Sequence, residues 1–129
     1  MKILGINALN HDAAITMIED GEILFAGHSE RYSGVKNDSD LNSALFADCY
    51  RLGGKPDKVV YFERPYLKKL RQLRAGQHGE VFSRKNLPSY YLRDYIGNAK
   101  IEYVQHHQSH AAAGYFTSPY EESAIVVID

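Results

Sequence analysis

Three of the chain's six histidines fall within five residues, in His106-His107-Gln108-Ser109-His110. On a helix, side chains four apart share one face, so His106 and His110 can offer two imidazoles to one divalent metal ion. His107 and His110, three apart, form a second candidate pair. Asp129 closes the next β-branched run, and strand ends are where ligands gather in α/β sheets. Zinc-peptidase helices also space two histidines by four, but they need a glutamate base beside the first histidine or just before the second. Those positions hold His107 and Ser109. Metal-assisted peptide hydrolysis is therefore excluded, and the metal is expected to position an anionic substrate.

Two further segments carry chemistry. Asn10-His11-Asp12 sets an imidazole beside a carboxylate. An imidazole exchanges protons near pH ~6.5, which makes His11 a candidate general base or substrate-orienting group. A polar turn in which Asp12 bonds nearby backbone is the alternative. Glu30-Arg31-Tyr32-Ser33, followed by Lys36, clusters two cations, read either as anion ligands or as a solvated loop. The lone Cys49 lies in a helical pattern and reads as a semi-buried structural thiol.

These groups need a scaffold. Residues Lys2 to Ile6, Ala13 to Ile18 and Ile23 to Ala26 read as three antiparallel strands, the last two joined at Asp20-Gly21. Asp38, Ser39 and Asp40 offer N-caps to a helix bearing Leu41, Leu45, Cys49 and Leu52, which Gly53-Gly54 ends. A strand at Lys58 to Phe62 precedes a basic amphipathic helix from Arg64 to Arg74 carrying Leu67, Leu70 and Leu73, then a loop around Gly76 to Gly79. A helix from Pro88 with Tyr91, Leu92, Tyr95 and Ile96, a strand at Ile101 to Val104, a helix from His106 to Phe116 and a strand at Ala124 to Ile128 complete the pattern. The order predicts a mixed α/β sheet, an antiparallel meander joined to parallel crossover strands, as in an RNase H-like or actin-like lobe. A Rossmann sheet is excluded by the missing glycine-rich turn.

The chain's 129 residues suit a single domain, and 44% hydrophobic with 24% charged residues supports a packed core. A formal charge of −1 excludes a global field drawing the molecule onto nucleic acid or an anionic membrane. Residues Arg64 to Lys85 do hold seven basic side chains against Glu80 alone. Amphipathic helices commonly solvate such residues, and a nuclease of RNase H type needs clustered carboxylates, so nucleic-acid binding is the lesser reading. No apolar run nears the ~20 residues that span a bilayer and no signal peptide opens the chain, so a cytoplasmic location without membrane partners is expected.

The opening ILGINALNHDAAITMIEDGEILFAGHSERYSGVKND, the middle VVYFERPYLKKLRQLRAGQ and the closing VQHHQSHAAAGYFTSPYEESAIVVID together resemble the N-terminal part of the NodU/CmcH-type carbamoyltransferases. The resemblance runs over essentially the whole chain, with the His-Asp turn, the Glu-Arg-Tyr-Ser segment and the histidine cluster in the family's order. Members are several times longer: a two-lobed actin-like domain related to the TsaD-type tRNA-modifying proteins, then a YrdC-like domain. The resemblance implies a first lobe of the actin-like ATPase superfamily over residues 1–118, with residues 119–129 opening the second lobe. It implies that the YrdC-like domain makes carbamoyl adenylate from carbamoyl phosphate and ATP. The actin-like domain then transfers the carbamoyl group to a small-molecule hydroxyl. On this pattern His106, His110 and Asp129 hold a divalent metal, iron or zinc. His11 lies at the transfer site, Lys36 near the adenylate phosphate, and Asp12 and Arg31 in supporting positions. The other lobe and the YrdC-like domain fall outside these residues, so the 129 residues alone are expected to be inactive. A non-catalytic lobe that self-associates or binds a partner through its exposed face is the alternative.

Overall fold

The computed structural model describes residues 1–74, 76 and 87–128. Strands β1 (Lys2–Asn7), β2 (Ala14–Glu19) and β3 (Glu22–His28) come first, followed by a short α1 (Glu30–Ser33) and α2 (Ser43–Gly53). Then come β4 (Lys58–Tyr61), α3 (Pro65–Arg74), α4 (Pro88–Tyr91), α5 (Arg93–Ile96), β5 (Ile101–Tyr103) and α6 (His106–Phe116). The five strands form one mixed sheet in the order β3-β2-β1-β4-β5. The pairs β1/β2 and β2/β3 are antiparallel, while β1/β4 and β4/β5 are parallel. It follows that β1, β3, β4 and β5 all run the same way, and the segments after them emerge at one end of the sheet. No helix among the described residues is long and apolar enough to cross a membrane.

Period-two patterning builds the sheet's two unlike faces. Leu4 and Ile6 of β1, Ile15 and Met17 of β2, and Val59 and Tyr61 of β4 are buried, while their neighbours Gly5, Asn7, Ala14, Thr16 and Val60 are half-buried. Leu45, Phe46 and Cys49 of α2, with Leu92, complete the core on the first face. Asp20 and Gly21, at φ +49° and +92°, make the β2–β3 turn, where both central residues need the left-handed region. A bulge at Met17/Ile18 then shifts the register, so that His28 pairs with Ala14. Two tyrosines clasp the start of α2 from fifty residues away: the Leu41 amide donates to the Tyr91 hydroxyl (2.6 Å), and the Tyr95 hydroxyl donates to the Leu41 carbonyl (3.1 Å).

Several expectations are corrected. The α2 cap is Asn42, whose side chain accepts from the Leu45 amide, not Asp38, Ser39 or Asp40, which instead join the loop packed on the β1–β2 turn. Leu52 faces solvent, and Phe46 takes its place in the core. The helix expected from Pro88 is two short turns joined at Leu92. The basic helix expected from Arg64 to Arg74 is present as α3, with Leu67, Leu70 and Leu73 on its exposed surface. Ala124 to Ile128 forms no strand. A β-branched run becomes a strand only where a neighbour offers a ladder, and it pairs with neither described sheet edge. Of the loop expected around Gly76 to Gly79, all but Gly76 lies outside the described residues, as do Glu80, Phe82, Arg84 and Lys85 of the basic segment.

Candidate functional site

The His11 turn is fixed by the segment that follows α1. The amides of Leu9, Asp12 and Ala13 donate to the carbonyls of Ser39 (2.9 Å), Asn37 (3.4 Å) and Asp38 (2.7 Å). Leu9, Asp12 and Asn37 all sit in the left-handed region, at φ +66°, +55° and +55°. Asn and Asp tolerate it, whereas a leucine there is an outlier that only a tightly determined loop sustains. Buried Ser29 pins the assembly: its amide donates to the Ala13 carbonyl (2.7 Å), its hydroxyl donates to the Asp40 carbonyl (2.5 Å), and it accepts from Asn42 Nδ2 (3.0 Å).

Within this frame, His11 Nδ1 lies 2.7 Å from Asp12 Oδ2. The other Asp12 oxygen, Oδ1, faces His28 Nε2 at 3.6 Å. Asn7 Nδ2 donates to the Asp12 carbonyl at 3.0 Å. Lys36 is exposed and immediately precedes Asn37, so its backbone abuts the His11 turn. Arg31 is exposed on α1. Glu30 Oε2 accepts from the Asn37 amide (3.0 Å), tying α1 to the same segment. The Ser33 hydroxyl, the Asp40 amide and, less strongly, the charge of His28 hold the Asp38 carboxyl below the usual range.

The histidine cluster opens α6, as its spacing predicts. Ser109 Oγ donates to the Phe62 carbonyl (2.8 Å) and docks the first turn of α6 on the end of β4. The Phe62 and His106 rings meet edge to face at 5.7 Å. His106 Nε2 and His110 Nε2 stand 3.2 Å apart. That distance suits an N–H···N hydrogen bond, and equally two metal–nitrogen bonds of roughly 2.0–2.1 Å meeting near ~100°. The pair could therefore supply two nitrogen donors to one divalent ion. Asp129, expected as a further ligand, lies outside the described residues, and among the described residues no group of three or more His, Cys, Asp or Glu side chains could hold a metal ion. Beside the cluster, a groove of about 270 Å³ is lined by Arg64, Leu67, Leu70, Arg74, Gln105, His106 and His107.

Both clusters stand at the same end of the sheet. They also share a face, because Asn7 and Phe62 each follow a buried residue, Ile6 and Tyr61, and so project from the half-buried side. The β1 and β5 axes are separated by β4, about 10 Å in all. Three polar residues escaped the sequence reading: Asn7 and His28, which contact Asp12, and Glu63, buried just past β4. Asn7 had a legible signal, as the last alternating residue before the His11 turn.

The chain matches no protein-family model. It is 28% identical over 156 aligned positions to the uncharacterized protein sll1178 of Synechocystis, covering 98% of this chain and 25% of that protein. It is 23% identical over 135 positions to the nodulation protein NolNO of Sinorhizobium fredii, covering 95% of this chain and 20% of that protein. The chain thus spans a quarter or less of the length of these curated relatives.

Proposed function

We propose that the chain is the first, RNase H-like lobe of an O-carbamoyltransferase of the NodU/CmcH type, with residues 1–118 forming that lobe and 119–129 leading into a second. The observation that carries this reading is the gathering of the His11–Asp12 turn, the Lys36 segment and the His106/His110 pair at one end of the sheet. The strand order β3-β2-β1-β4-β5, with its antiparallel meander and parallel crossovers, supports the lobe assignment, and the similarity to a nodulation protein supports the family.

In this reading the whole enzyme makes carbamoyl adenylate from carbamoyl phosphate and ATP, then passes the carbamoyl group to a small-molecule hydroxyl: the hydroxyl oxygen bonds to the carbamoyl carbon, the bond from that carbon to the phosphate oxygen breaks, and AMP leaves. His11 takes the hydroxyl proton on Nε2, while Asp12 accepts from Nδ1–H and stabilises the imidazolium as it forms. Lys36, with Arg31 nearby, pairs with the adenylate phosphate. His106 and His110, joined by Asp129 as the family resemblance implies, would hold an iron or zinc ion, and such an ion would supply Lewis-acid polarisation of a donor oxygen.

Calorimetric titration of the chain with a non-hydrolysable carbamoyl-adenylate analogue, in the presence of Zn²⁺, tests the proposal. Binding is expected, weakened at least about tenfold in Lys36→Ala, which removes a charge-assisted contact. Lys36 is exposed, so the same substitution should change stability by less than ~0.5 kcal/mol. No binding by the wild-type chain, or unchanged binding in the variant, would refute the assignment.

A further inference from the structure

We infer that His28 is a positioning residue that acts through Asp12 on His11; the inference rests on the role proposed for His11 above. The bulge in the β2–β3 hairpin sets His28 opposite Ala14, and Ala14 is opposite Asn7. These three residues therefore form one row across three strands, on the face away from the core. Two polar side chains flank a methyl group, and Asp12 engages both of them. Asn7 holds its backbone carbonyl at 3.0 Å, and His28 Nε2 faces Oδ1 at 3.6 Å.

The geometry leaves His11 and His28 on different oxygens of one carboxylate. His11 is on Oδ2 at 2.7 Å, and the Asp12 backbone, at φ +55°, is already held by the hydrogen bond its amide donates to the Asn37 carbonyl. What remains free is rotation about the bond to the carboxyl group, a broad torsion that one hydrogen bond does not set. A second imidazole at the opposite oxygen sets it. At 3.6 Å the contact exceeds a direct hydrogen bond, so His28 acts by directing its Nε2–H dipole at Oδ1. With the carboxylate plane held, Asp12 keeps the proton of His11 on Nδ1, which leaves the Nε2 lone pair for the incoming hydroxyl. His28 itself touches no substrate.

The readout is the imidazole ¹⁵N spectrum of the 129-residue chain at about pH 8.5, where an ordinary imidazole is neutral. In wild type the Nδ1–H form of His11 should exceed the Nε2–H form by about tenfold. His28→Phe should lower that ratio at least about twofold while the amide spectrum of the sheet persists, and His28→Gln, which can still direct an N–H at Oδ1, should restore it. A reciprocal arm leaves residue 28 intact: His28 should carry its proton on Nε2, and Asp12→Asn should shift that resonance. An unbiased His11 in wild type, an unchanged ratio in His28→Phe, or a His28 proton on Nδ1 would overturn the inference. No carbamoyl donor enters this experiment. A biased His11 in a chain that binds no carbamoyl-adenylate analogue keeps the triad and discards the transfer reading, and bound analogue with an unbiased His11 does the reverse.

Discussion

His106 and His110 were legible as a pair because their spacing is local: four residues on a helix define a face whatever the rest of the chain does. His28 was not, since its meeting with Asp12 depends on a bulge that moves the register by one residue, and hydrophobic alternation does not announce where a bulge falls. The His11–Asp12 contact was readable for the opposite reason, the two residues being adjacent. The histidine pair yields a prediction at this scale. Titration with Zn²⁺ should show one site, and His106→Ala or His110→Ala should each weaken it by roughly tenfold or more, since even an outer-shell partner's loss costs about that much. His107→Ala should leave it within about twofold, because His107 is exposed and its Nε2 is not part of the 3.2 Å pair. Equal affinity in all three variants would show that the pair is only a hydrogen-bonded contact.

Among the elements, the strands were read to within a residue or two, and α6 to both its ends, because strict alternation or a clean break marked them. Propensity failed where tertiary context decides. Ala124 to Ile128 has the β-branched composition of a strand without a neighbour, and α2 takes its cap from Asn42 because that amide also reaches Ser29 inside the loop assembly. The packing of α2 on β3 was invisible, since it depends on a missing side chain. A Cβ at Gly27 would lie 2.5 Å from Leu45 Cδ1 and 2.6 Å from the Phe25 ring. Gly27→Ala should therefore destabilise the chain by about 1–3 kcal/mol through overpacking, measurable as a lower urea midpoint at unchanged slope. A midpoint equal to wild type would mean that α2 can slide on the sheet.

For the molecule as a whole, buried acidic protons set the upper limit of its pH range. Burial pushes the Cys49 thiol up to about 11, in keeping with its structural reading. It also raises the phenols of Tyr50, Tyr61, Tyr91 and Tyr103. A group raised on folding contributes stability that is complete below its unfolded value, 9.0 for the thiol and 10.0 for a phenol, and that is lost as pH climbs toward the folded value. The melting temperature should thus fall by several degrees above pH 10. A level profile to pH 11 would contradict this burial. The architecture itself was legible because β-β-β followed by alternating helices and strands admits few sheets, whereas the shared face of the two clusters emerged only with the parallel register of β1 and β4. The tyrosine clasp on Leu41 has a consequence for how such a chain can grow. It closes the chain between residues 41 and 91 with two hydrogen bonds, so sequence added within that span meets a closure already made. Doubling such a loop costs only about 0.6 kcal/mol. An insertion within that span therefore adds little closure entropy beyond what the two tyrosines already hold.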